Sequence, residues 1–459
     1  MKQLVLLFAA LLIALSTNSI AQEYNQKKLA VTVYNSNLGV VKDVRELNIK
    51  SGNSKISITD VAKLIDPTSV HIKLDGQVIE QNYQYDLVNL TKILRKYIDR
   101  DVQLFNENNE LIEGKLLSAV SGQVVLQKKD GGLIMIPTLA KYRISVENLP
   151  DGLITKPTLV WSVNSNKSGK QDVEISYQTQ GMGWHAEYVA VLNKDDTKLD
   201  LNSWVSVDNN SGTTYKNAKL KLIAGDVNRV QDKNRLYKED MMQVKATASY
   251  AAAPQFEEQS FFEYHIYNLQ RPTTLAQNET KQISLFEAQN VKANKKYFFR
   301  SGGGYYGHNN SNGKVNVIVE FDNKESQKLG VPMPKGKVRM YKSDGESIEF
   351  VGEDFIDHTP RNETIKLKIG DAFDIIAEER QVEHKKITDR VYEQVQEIKI
   401  KNRKKEDVVV EVERHLGYNW EILNTTIDYK KKNSTTVTFQ VPIKENKETI
   451  LNFKVRYVN

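Results

Sequence analysis

GMGWHAEYVAVL, residues 181–192, is the stretch on which the fold turns. Two glycines ahead of a Trp–His pair could form the lip of a binding site, with Trp184 and His185 as its contact residues. They could equally open one more buried strand. The alternation favours the strand. Trp184, Ala186, Tyr188 and Ala190 fall on one face, and His185, Glu187, Val189 and Val191 on the other, which is the period of two of a half-buried strand. Gly181 and Gly183 let the chain turn into it at little steric cost. On that reading Trp184 is a core anchor, and truncating it to Ala costs about 3–5 kcal/mol.

The same period recurs in both directions along the chain. Leu220, Leu222 and Ala224 alternate with Lys219 and Lys221; Val315, Val317, Val319 and Phe321 share a face, as do Leu451, Phe453, Val455 and Tyr457. Turn-forming runs such as NSNLG (35–39), KSGNS (50–54), NNSG (209–212) and KSDGES (342–347) punctuate them. Short alternating strands with frequent turns predict an all-β protein built of several antiparallel β-sandwiches. One stretch departs from this: Leu87, Leu90, Leu94 and Tyr97 have helical spacing and predict a short amphipathic helix over 88–98. Five short strands follow it, giving a small SH3- or Sm-like barrel, either a structural insertion or a barrel that takes a peptide or partner. The predicted order is a signal peptide (1–21), an N-terminal β module (22–87), the helix-plus-barrel (88–152), a central β-sandwich (153–380) and an immunoglobulin-like module (381–459) with Trp420 at its middle. Two segments of the central part, 231–259 and 301–313, lack sustained apolar alternation and are expected to be mobile.

The first residues predict an address. Lys2 precedes an uninterrupted apolar run of 12 residues, Leu4 to Leu15, and Ser19-Ile20-Ala21 places small residues before Gln22, the pattern of a secretory signal cleaved between Ala21 and Gln22. As a helix the run spans about 18 Å, short of a hydrocarbon core of roughly 30 Å, so no lasting transmembrane segment is expected. The sequence offers no Cys for a lipid anchor, nor for a disulfide, a thiol nucleophile or a thiolate metal site. An exported product of the periplasm, cell envelope or extracellular space follows, held together by core burial alone. The charge balance is mild, +6 overall, with 13 Lys/Arg against 8 Asp/Glu from Lys399 to the end. That excess is too dilute to predict nucleic-acid binding; it reads as a solvated basic face, or as a surface for an acidic partner.

GMGWHAEYVAVLNKDDTKLDLNSWVSVDNNSGTTYKNAKLKLIAGDVNRV (181–230) resembles the signature of the bacterial domain of unknown function family 4139, to which mucoidy-inhibitor-like envelope proteins belong. The likeness extends to VTVYNSNLGVVKDVRELNI (31–49), DVAKLIDPTSVHI (60–72), FFEYHIYNLQRPTTL (261–275), GEDFIDHTPRNE (352–363) and GDAFDIIAEER (370–380). The resemblance implies an all-β exported bacterial protein and carries over no catalytic residues.

Chemistry-bearing motifs are sparse. The seven His stand at 71, 185, 265, 308, 358, 384 and 415, with no pair at zinc-ligand spacing. There is no nucleophile elbow, Walker loop or dinucleotide fingerprint. GEDFIDHTP gathers Glu353, Asp354, Asp357 and His358, which could hold Ca²⁺ or serve as general acid and base in a metal-assisted hydrolase. The same residues make good turn chemistry, with Asp357 as the cap. SGGGYYGHNNSNG (301–313) lacks the Lys-Ser/Thr and helix of a phosphate loop; Tyr305 and Tyr306 in it could stack on a glycan. The expectation is a non-catalytic protein without a cofactor, scaffold or binder for an envelope protein or glycan.

Overall fold

The computed structural model describes residues 25–225, 227–228, 255–301 and 310–458. Strands dominate, and the sheets follow the alternation. At the N-terminal end, a large sheet runs in the order Phe256–Phe261, Tyr264–Leu269, Tyr215–Ala224, Asn25–Tyr34, Leu38–Ile49, Gly169–Thr179, His71–Lys73. A three-stranded sheet of Gly52–Ile58, Thr158–Ser165 and Gly76–Gln84 shares its core. Val31, Val33, Val41, Val173, Ile175, Leu220 and Leu222 from the large sheet meet Ile56, Ile58, Leu159, Trp161 and Val163 from the small one. Trp161 is fully buried, and its indole N–H donates to Gln81 Oε1 at 2.9 Å. A β-sandwich thus forms from residues before and after 88–152.

That intervening stretch is looped out of the sandwich. Val88 N–H donates to Ile154 carbonyl and Ile154 N–H to Asp86 carbonyl, so its two ends lie side by side. The helix covers Leu90–Lys96, shorter than expected because Asn89 caps it, its side chain accepting from Lys92 N–H. Five strands follow at Asp101–Phe105, Leu111–Val120, Gln123–Gln127, Leu133–Ile136 and Arg143–Ser145, over a core of Leu94, Tyr97, Leu104, Leu116 and Leu126. Arg143–Ser145 and Leu133–Ile136 occupy the two ends of the strand order and share no ladder. The sheet of the expected SH3- or Sm-like unit is therefore open between these two strands.

Thr273–Leu275 pairs with Tyr215–Ala224 at the N-terminal sheet, and the other strands form one continuous sheet that wraps two further cores. Its path is Ile348–Ile356, Gly336–Ser343, Met182–Leu192, Lys198–Asn209, Glu279–Ser301, Asn310–Asp322, Thr364–Lys386, Val391–Asn402, Glu448–Val458, Trp420–Thr425. Val408–His415 joins in parallel along the end of Glu279–Ser301 and carries Thr436–Ile443 and Tyr429–Asn433 beyond it. Ala186, Tyr188, Leu201, Phe321, Met340 and Leu367 fill the central core. Phe299, Val315, Ile375, Ile398, Val410, Phe439 and Phe453 fill the C-terminal one.

Glu279–Ser301 and Thr364–Lys386, of 23 residues each, contribute to both. The expected boundary at 380/381 falls inside the second of these strands. Trp420 is half-buried at the sandwich edge, donating to Ser434 carbonyl with Lys431 over its ring; the centre is the stacked pair Phe439 and Phe453.

The two large sheets are mixed. Three parallel ladders, between 25–34 and 215–224, 182–192 and 336–343, and 279–301 and 408–415, tie together segments distant in sequence. Strands Phe256–Phe261 and Asn310–Asp322 occupy the C-terminal ends of the segments 231–259 and 301–313; residues 231–254 and 302–309 lie outside the described residues. Among the described residues no helix is long and apolar enough to cross a membrane.

Candidate functional site

Strand Met182–Leu192 takes the expected alternation. Trp184, Ala186, Tyr188 and Ala190 are buried, and His185 is exposed. Trp184 donates its indole N–H to Ile223 carbonyl at 3.0 Å and meets Tyr267 edge-on. It lies inside the N-terminal core, not on a lip. Only the first glycine is sterically required: Gly181 has φ +78°, and a Cβ there would lie 2.7 Å from Asn210 carbonyl, whereas one on Gly183 would meet open space. On the outer face His185 Nε2 approaches Glu187 at 3.4 Å, and Arg339 donates to the other carboxylate oxygen at 2.9 Å. The hydrogen bond to His185, with Arg339 behind it, outweighs partial burial and holds the Glu187 carboxyl down to about 2.

The acidic turn separates its members. Glu353 leaves strand Ile348–Ile356 toward Lys337 and Arg339. The Asp354 carboxylate accepts from the backbone N–H groups of Phe355 (2.9 Å) and Lys368 (2.7 Å), pinning the strand to its neighbour. Asp357 is exposed, and its carbonyl accepts from Thr359 hydroxyl. His358 Nδ1 accepts from Lys335 N–H at 3.2 Å. The turn expected to be capped by the Asp357 side chain is held instead through the Asp357 backbone carbonyl, while the Asp354 carboxylate ties two strands together. Among the described residues no three His, Cys, Asp or Glu are placed to hold a metal ion. Tyr305, Tyr306, Ala21 and Gln22 lie outside the described residues.

A site the motifs did not reveal lies between the central and C-terminal cores. Asp196 sits at a tight turn with φ +58°, and its carboxylate takes Lys295 and Lys342 on its two oxygens. Burial would raise its pKa, but the two ammonium groups overcome that and keep it low. Asp196 and Lys295 line a cleft of about 510 Å³ together with Tyr297, Asp407, Glu411 and Gln440. Lys295 and Lys404 approach the Tyr297 ring at 5.9 and 5.8 Å, and Asp407 is paired with Lys444. With its carboxylate held ionised by two lysines, Asp196 is a structural tie and not a proton shuttle. The cleft offers fixed charges of both signs, the furnishing of a polar recognition surface; Tyr297 is buried in the C-terminal core with the two lysines over its ring. Sequence could not show it, because Asp196 lies 99 and 146 residues from its two lysines.

A search of curated proteins found no match to the chain. A family model described as a domain of unknown function, DUF4139, matches residues 173–457, more than half of the chain. The similar stretches at 31–49 and 60–72 lie outside the matched residues. The match starts within strand Gly169–Thr179 and takes in the central core, the cleft and the C-terminal sandwich, so the chain belongs to the DUF4139 family.

Proposed function

We propose that this protein is an exported, non-catalytic β protein of the cell envelope that serves as a rigid scaffold or binding protein for an envelope partner or glycan. The observation that carries this reading is the sharing of strands between cores. Glu279–Ser301 and Thr364–Lys386 each run from the central core into the C-terminal one, and 23 residues at about 3.3 Å each reach roughly 75 Å. Hydrogen-bonded ladders, rather than a linker, fix the cores relative to one another, as a spacer or presenting arm requires. Export is supported by the n-region, apolar run and small-residue site of 1–21. The charged cleft is the surface proposed for the partner.

The test is made in cells. Photo-crosslinkers at Glu411 and Gln440 should trap an envelope component, and reversing the cleft charge with Asp407→Lys should abolish the adduct without lowering the amount of protein. The exported fraction should have the intact mass of a chain beginning at Gln22. An adduct confined to cytoplasmic proteins, or a retained Met1 in the exported fraction, would overturn the reading.

A further inference from the structure

Midway along Thr364–Lys386 the ladder with Asn310–Asp322 breaks. Asn316 pairs with Asp371 and Lys314 with Ile376, so two steps on one strand face five on the other. The surplus bulges outward. Ala372 packs toward the C-terminal core, and Phe373 is 95 % exposed. Ile376, beside it, is also exposed. A bare phenyl ring on a bulge forfeits the burial it would gain almost anywhere else, and the surrounding ladder holds it there.

The bulge abuts a cationic turn. Arg403 N–H donates to Asp374 carbonyl at 2.8 Å, and an open groove of about 340 Å³ is lined by Asp374, Arg403, Lys404, Lys405 and Glu406. The turn is built, not frayed: Asn402 is fully buried, its amide donates to the carbonyls of Glu406, Ile443 and Lys444, and its oxygen accepts from Lys404 N–H. Lys404 is taken up by Glu406 and the Tyr297 ring. Arg403 and Lys405 are exposed, and among the described residues neither joins an ion pair.

We propose that this bulge and turn form a peripheral docking surface for an anionic lipid bilayer, with Phe373 seated at headgroup depth and Arg403 and Lys405 on lipid phosphates. An aromatic ring beside free cations on long flexible stems is the chemistry of reversible interfacial attachment. A stable protein interface needs about 800 Å² of complementary surface on each side, and one projecting ring beside a shallow groove does not provide it. The inference goes beyond the scaffold reading and does not depend on export.

The full chain is sedimented with phosphatidylcholine vesicles and with vesicles that also contain phosphatidylglycerol. Binding to the anionic vesicles alone is expected, falling with added salt. Each cation near such a surface is worth about a fivefold gain, so Arg403→Ser with Lys405→Ser should weaken binding by more than an order of magnitude. Phe373→Ser should weaken it several-fold, and Phe373→Trp should bind and shift its emission to the blue on the vesicles. Phe262→Asn, which removes another exposed ring, at the turn of the Phe256–Phe261/Tyr264–Leu269 hairpin, should bind as wild type. Equal sedimentation with both vesicle types, or anionic binding that survives all three changes, overturns the proposal. So does binding to soluble poly-glutamate that Arg403→Ser with Lys405→Ser abolishes while vesicles are ignored, since that assigns the surface to acidic protein.

Discussion

Trp184 and Glu187 are neighbours on one strand with opposite duties. Trp184 is buried and its indole N–H is satisfied by Ile223 carbonyl, so Trp184→Ala should cost about 3–5 kcal/mol in urea unfolding. Glu187 works through charge. Its folded pKa, about 2, lies below the ordinary carboxyl value, so its contribution is complete above pH ~4.5 and is lost as pH falls toward 2. Fully expressed, such a shift corresponds to about 3 kcal/mol; solvent at this half-buried position screens it to about 1–2 kcal/mol. Glu187→Gln should destabilise the protein at neutral pH and flatten that part of its stability curve. Parallel curves for the two proteins between pH 2 and 4.5 would show that the His185 and Arg339 contacts carry nothing. Phe262 is the opposite case, a bulky exposed residue at φ +56°. Asn tolerates that conformation, so Phe262→Asn should stabilise by about 0.5–1 kcal/mol in the same measurement.

At the scale of elements, the acidic turn decides between structure and metal. Asp354 accepts two backbone N–H groups and ties neighbouring strands, so Asp354→Ala should cost about 1–2 kcal/mol. Asp357→Ala should cost less than 0.5 kcal/mol, as a surface change does. Melting temperatures should not depend on millimolar Ca²⁺ or EDTA; a rise in wild type alone, following mass action, would restore the metal reading. That Asp354 carries the load was not legible, since the neighbouring strand's Lys368 N–H is invisible in GEDFIDHTP. The strand 182–192 was legible because every inward position from Trp184 to Ala190 is apolar and two of the three outward ones, His185 and Glu187, are polar. So were the five strands between 101 and 145, closely spaced and separated by turn residues. Phe256–Phe261 escaped because FEEQSF is a polar edge strand with one buried side chain. The parallel ladders escaped because a parallel pair leaves no hairpin signature.

Over the whole molecule, the distinguishing feature is that, among the described residues, shared strands and not a linker join the N-terminal, central and C-terminal cores. Trp184, Val205 and Ile283 pack in the N-terminal core, while Ala186, Leu201 and Val291 from the same three strands pack in the central one. Glu279–Ser301 continues to Phe299 in the third. A bend between cores would have to break ladder hydrogen bonds in several strands together, each costing about 1 kcal/mol net, so thermal bending is suppressed. The chain is suited to a direct measurement, since it contains no Cys and introduced thiols label uniquely. Spin labels on Lys55→Cys in the N-terminal sandwich and Lys447→Cys at the C-terminal one, both exposed positions, should give a single narrow distance distribution. It should stay unchanged by salt, because backbone ladders and apolar cores hold the arrangement, whereas exposed ion pairs would be screened. A broad or salt-dependent distribution would mean that the sandwiches move independently, and the rigid scaffold would be lost with it.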